Sequence, residues 1–100
     1  MAFTALNAGP QFKFNEAISL QLPCETQEEI ESYWNALTVD CGEEGPCGLL
    51  KDKYGLSWQV FPAFMGDILA GPDRAGAARA MDAFMKMKKF DLAAVKKAYE

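Results

Sequence analysis

The change of hydrophobic period between residues 17 and 37 constrains this chain most. Over residues 17–22 apolar and polar positions alternate, with Ile18, Leu20 and Leu22 on one side and Ala17, Ser19 and Gln21 on the other. That is the period of a half-buried strand. Pro23 is expected to end it. Thr26-Gln27-Glu28-Glu29 then has the spacing of a capping box, in which a threonine hydroxyl and a glutamate carboxylate satisfy the free amides of a helix start. Ile30, Tyr33, Trp34 and Leu37 follow at i, i+3, i+4 and i+7, which lays one apolar stripe along a helix. A strand leading directly into a helix with one apolar face predicts an α+β domain with the helix lying on a sheet.

The remainder extends this pattern. Residues 47–51 read as a short strand, 52–55 as a turn, and 56–61 as another strand, with Trp58 and Val60 on one side and Ser57, Gln59 and Phe61 on the other. Upstream, residues 3–7 read as a strand stopped by Ala8-Gly9-Pro10. The order is therefore β, then βαββ. After Pro62 the period is helical. A short helix is expected over 63–69, then one capped by Asp73 and running to about Lys88, with Ala77, Met81, Phe84, Met85 and Lys88 inward. Asp91 caps a last helix that carries Leu92, Val95 and Tyr99 on one face.

Composition bounds what such a chain does. Half of its 100 residues are hydrophobic, enough for one core and not for two. The net charge is −4 and most Lys and Arg lie in the last third, so no broad cationic surface is expected and nucleic acid is not an expected partner. Lys86, Lys88 and Lys89 read as a solvated helix end. No apolar run approaches the ~20 residues of a membrane span, and residues 1–9 do not resemble a signal peptide, so a cytoplasmic protein without membrane contact is expected. Cys24, Cys41 and Cys47 are odd in number and read as reduced thiols. Their spacing is not that of a zinc site, and with no histidine in the chain Cys47 has no imidazole base to activate it. The adjacent Glu43 and Glu44 read as solvated turn acids rather than a cation site.

Residues 7–20 (NAGPQFKFNEAISL), Glu43-Glu44, residues 47–60 (CGLLKDKYGLSWQV) and residues 85–89 (MKMKK) together resemble the second module of the PhnB-like branch of the vicinal-oxygen-chelate, or glyoxalase/bleomycin-resistance-like, superfamily. The resemblance implies a βαβββ module over 16–62, preceded in 1–15 by the last strand of a first module and a linker, and followed by a helical extension over 63–100. It also implies that two modules pair around a cavity, so a chain holding little more than one is expected to homodimerise.

Metal-using relatives place a His on the module's first strand and a Glu on its last. Here the matching positions look like Ala17 and Gln59, which disfavours a divalent metal, and no other cofactor is expected. Alternation and resemblance together put Ser19, Gln21, Ser57 and Gln59 on the concave side as candidate ligand-binding residues, against the alternative of a buried dimer seam. No catalytic residue is assigned. The leading reading is a metal-free small-molecule-binding homodimer. The alternatives are a metal-dependent lyase, isomerase or dioxygenase-type enzyme with a site at the dimer interface, and a shortened non-catalytic interaction subunit. Members of this branch are often labelled demethylubiquinone methyltransferases, but no glycine-rich cofactor loop opens a helix here.

Overall fold

A computed structural model describes residues 2–7 and 9–100. The strands are β1 (Ser19–Cys24), β2 (Glu43–Glu44), β3 (Leu49–Lys51) and β4 (Ser57–Pro62), and the helices are α1 (Gln27–Thr38), α2 (Met65–Ala70), α3 (Arg74–Met85) and α4 (Leu92–Tyr99). The strands form one open sheet in the order β1-β4-β3-β2. β1 and β4 run parallel, whereas β3 is antiparallel to both β4 and β2. A parallel pair needs a long crossover, and α1 with the β2–β3 hairpin supplies it. The α+β class is as the sequence pattern predicts and the βαβββ order is as the family resemblance implies, with Glu43–Glu44 supplying the strand that the pattern alone leaves as a turn.

The start of α1 carries the predicted cap. Thr26 Oγ1 accepts from the Glu29 amide at 3.2 Å, and the Glu29 carboxylate accepts from the Glu25 amide at 3.0 Å. Ile30 and Trp34 are buried against Cys24, Leu50 and Val60, so α1 covers one face of the sheet. Tyr33, expected in the stripe, stands at its exposed margin. The Trp34 indole N–H donates to Glu44 Oε1 at 2.5 Å. Glu44 is thus tied into the structure and is not the free turn acid expected, and residues 43–44 form β2 opposite Leu50 and Lys51.

The C-terminal helices close the end of the sheet where β1 and β4 finish. Ala63 N donates to Cys24 O at 2.8 Å, while the Cys47 and Gly48 amides donate to Met87 O and Lys88 O at 2.7 and 2.8 Å. Gln27 clamps the same end to α1: its Nε2 donates to Phe90 O at 3.0 Å and its Oε1 accepts from Leu92 N at 2.8 Å. Phe84 and Phe90 meet edge to face, and with Ile68, Ala80, Leu92 and Val95 they continue the core begun by the sheet and α1.

Five sequence expectations differ from the structure. Residues 3–7 form no strand: no neighbouring strand lies alongside to supply ladder partners, and Phe3 and Leu6 stand exposed. β1 starts two residues later than the alternation suggests, leaving Ile18 exposed, and it runs through Pro23. β1 pairs only with β4, and an edge strand has unpaired amides, so a proline there is tolerated. Helix α3 ends at Met85 because the following segment is drawn onto the Cys47–Gly48 turn. Its buried face is Gly76, Ala77, Ala80 and Phe84, with Met81 and Met85 exposed, since α3 and α4 approach closely: a Cβ on Gly76 would lie 3.0 Å from the Tyr99 ring. The caps expected from Asp73 and Asp91 are both formed, each side chain accepting from the amide three residues on.

Gly48 carries a testable consequence. Its φ is +73°, and a Cβ there would sit 2.6 Å from both Val60 O and the Phe90 ring. Gly48→Ala is expected to cost about 2 kcal/mol or more, from left-handed strain and overpacking together. A urea denaturation midpoint equal to that of the unsubstituted protein would contradict this account of the 47–48 turn.

Candidate functional site

The parallel register of β1 and β4 builds the site. Ser19 lies opposite Ser57 and Gln21 opposite Gln59, while β3 brings Lys51 beside Ser57 and Leu49 beside Gln59, and β2 adds Glu43 beside Lys51. Side chains alternate along each strand, so these residues share the sheet face opposite α1. One row across that face reads Ser19, Ser57, Lys51, Glu43, and the next reads Gln21, Gln59, Leu49. The polar side of the sheet is thus assembled from three separate stretches of sequence.

Along the first row lies a half-open groove of about 230 Å³, lined by Glu16, Ser19, Glu43, Glu44, Lys51 and Ser57, with Pro46, Leu49 and Leu50 as its apolar wall. Ser57 is 4 % exposed and its hydroxyl has no hydrogen-bond partner. A buried hydroxyl without a partner costs about 1–3 kcal/mol, so its retention in the floor of a groove calls for an explanation. Lys51 Nζ pairs with the Glu16 carboxylate across the groove. That hydrogen bond holds the Glu16 carboxyl below the usual carboxylate range and raises the Lys51 ammonium above the usual lysine value.

The second row is satisfied internally. Gln21 Nε2 donates to Gln59 Oε1 at 3.0 Å, and the two amides, with Cys47, Phe61 and Met65, line a smaller hollow of about 80 Å³. Cys47 sits at φ +56°, and its thiol donates to Phe84 O at 3.3 Å. Cys24 is buried beneath β1, and burial, with the nearby Glu29 charge, pushes its thiol pKa up.

The family model of 3-demethylubiquinone-9 3-methyltransferase matches residues 1–61, the stretch that contains all four strands except the last residue of β4. The chain belongs to this family. No curated protein matches it. In this member of the 3-demethylubiquinone-9 3-methyltransferase family, the matched segment carries every residue of the polar face, whereas α2, α3 and α4 lie beyond the match.

The structure brings the four sequence candidates together: Ser19, Gln21, Ser57 and Gln59 form two cross-strand pairs on one face. Ser19 and Ser57 line the larger groove, and Gln21 and Gln59 the smaller one. Sequence reasoning missed Lys51 and Glu16. Lys51 ends a three-residue strand too short to show alternation, and Glu16 precedes β1 in irregular backbone. Ala17 lies outside β1, with its amide donating to Asn15 Oδ1 at 2.9 Å. Trp34 and Trp58 sit on the core side as expected, the Trp58 indole N–H donating to Asp52 Oδ2 at 2.9 Å. The three cysteines are free and, among the described residues, no group of three or more His, Cys, Asp or Glu is placed to hold a metal ion. No helix among them is long and apolar enough to cross a membrane.

The Glu16–Lys51 pair makes a pH prediction. The depressed Glu16 pKa means that its stabilising contribution is complete above the ordinary glutamate pKa and is lost as pH falls through the lowered folded-state value. The raised Lys51 pKa means that its contribution is complete below the ordinary lysine pKa and is lost as pH rises through the raised value. The stability difference between the protein and Glu16→Gln should therefore be flat from about pH 6 to 9 and shrink towards acid pH. A difference that grows on acidification, in urea titrations across that range, contradicts the pairing.

Proposed function

We propose that this protein is a metal-free, glyoxalase-like module of the vicinal-oxygen-chelate type that binds a small molecule on its concave face, and that a second copy covers that face in a homodimer. The carrying observation is the unpartnered, buried Ser57 hydroxyl in a groove bordered by Ser19, Lys51 and Glu43. Buried polar groups acquire partners, and a ligand is the partner this arrangement is shaped to receive.

Two features support the second copy. The sheet has α1 on one face only, and a polar face with a recessed hydroxyl is better accounted for as the wall of a cavity than as a bare surface. The chain ahead of β1 also presents Phe12, Phe14 and Ile18 at 90 %, 61 % and 71 % exposure, apolar area that association would cover. The radius of gyration is 15.3 Å, against about 13 Å for an ordinary 100-residue domain, which reflects this extended segment.

The donor set supports the metal-free reading. Gln59 Oε1, the one oxygen at the position where metal-using relatives carry a carboxylate, already accepts from Gln21, and Ala17 offers no donor. The family description names a methyltransferase, and the residues do not fit a nucleotide-type methyl donor held at a glycine-rich turn. The β1–α1 connection is Glu25-Thr26, without glycine, and its helix start is occupied by its own Thr26 and Glu29 side chains.

Substitution of Ser57 separates a ligand-poised hydroxyl from an ordinary structural one. Ser57→Ala should leave the fold as stable or up to about 1 kcal/mol more stable, because an unsatisfied buried group is removed. A loss of more than about 1 kcal/mol in urea melts would mean that the hydroxyl has an internal partner. Sedimentation equilibrium at micromolar concentration should give a dimer, and a monomer would remove the second copy from the reading.

A further inference from the structure

We infer that the groove along Ser57 selects a small organic cation, an amine on an apolar body, over neutral or anionic molecules of the same shape; this rests on the reading of the concave face as a ligand site. Its border carries two free-facing carboxylates, Glu16 and Glu43, against one ammonium, Lys51, since Glu44 turns its carboxylate to the Trp34 indole on the α1 side of the sheet. The Glu16–Lys51 pair cancels one charge of each sign. Glu43 takes part in none of the ion pairs among the described residues, although it faces Lys51 in the β2–β3 register.

The groove therefore keeps an excess of negative charge beside a low-dielectric wall of Pro46, Leu49 and Leu50. An anion would have to displace Glu16 from Lys51 while meeting Glu43. An ammonium meets Glu43 without breaking any pair already made. The Ser57 hydroxyl supplies the second, independent constraint: it is recessed in the floor with both its lone pairs and its proton unused. A primary amine fits the combination, one N–H donating to the Glu43 carboxylate, another to Ser57 Oγ, and its hydrocarbon lying along Leu49 and Pro46. A volume of about 230 Å³ accommodates a single aromatic ring with a short chain.

Phenethylamine, 2-phenylethanol and phenylacetate share nearly one shape and differ in charge, so they serve as probes. Titrated into the 15N-labelled protein at low salt, phenethylamine should shift the Ser19, Lys51 and Ser57 amides and bind at least about tenfold more tightly than either of the others, the worth of one charge-assisted hydrogen bond. Its affinity should fall as salt is added. Glu43→Gln should remove most of that preference and Ser57→Ala should weaken the amine about fivefold or more. Glu28→Gln, on the exposed side of α1, should leave it unchanged. If 2-phenylethanol or phenylacetate shifts the same amides with equal or higher affinity, or Glu43→Gln changes nothing, cation selection is overturned while the ligand site survives. If none of the three perturbs the groove, both fail.

Discussion

The pairing of β1 with β4 in parallel is the constraint from which the rest of the structure follows. Two strands far apart in sequence lie side by side, with Ser19 against Ser57 and Gln21 against Gln59 on one face and Leu20 against Trp58 and Leu22 against Val60 on the other. A shift of one residue would exchange these faces, placing the amides under α1 and the tryptophan in the groove. Burial of Trp34, Ile30 and Val60 therefore specifies the apolar face and, by exclusion, the polar one. The chemistry of the groove is a consequence of how the core packs.

The far end of the sheet is held by a different kind of bond. Gln27 receives the Leu92 amide and donates to Phe90 O, and the Cys47 and Gly48 amides reach the carbonyls of Met87 and Lys88. These contacts fasten α3 and α4 to the module through backbone groups that would otherwise be stranded at the helix ends. They also account for two left-handed residues in succession, Cys47 and Gly48, because only that bend turns both amides toward the 87–88 segment. The family match stops at residue 61, so Gln27, Cys47 and Gly48 lie within the matched segment while the backbone groups they hold, from Met87 to Leu92, lie beyond it.

Much of this was legible before any coordinates. Alternation is informative when one face of a strand is buried, and that condition holds for β1 and β4, so alternation and the family resemblance together set Ser19, Gln21, Ser57 and Gln59 on one face, as the β1–β4 register has them. Capping signals are local, and Thr26, Asp73 and Asp91 act as read. What failed depended on neighbours. Residues 3–7 have strand composition and no strand beside them. The inward face of α3 is set by how closely α4 approaches, which favours Gly76 and Ala80 over the larger Met81 and Met85. Glu16, just ahead of β1, and Lys51 on β3 meet only because both strands flank β4, and a strand of three residues has no period to read.

The register of β1 on β4 is the claim on which both the core and the groove depend, and nuclear Overhauser contacts test it directly. Backbone and side-chain contacts should link Ser19 with Ser57, Gln21 with Gln59 and Leu22 with Val60, with slow amide exchange on β4 between its two neighbours. Side-chain contacts joining Gln21 to Trp58, or pairing of β1 with any strand other than β4, would contradict the register and remove the polar face with it.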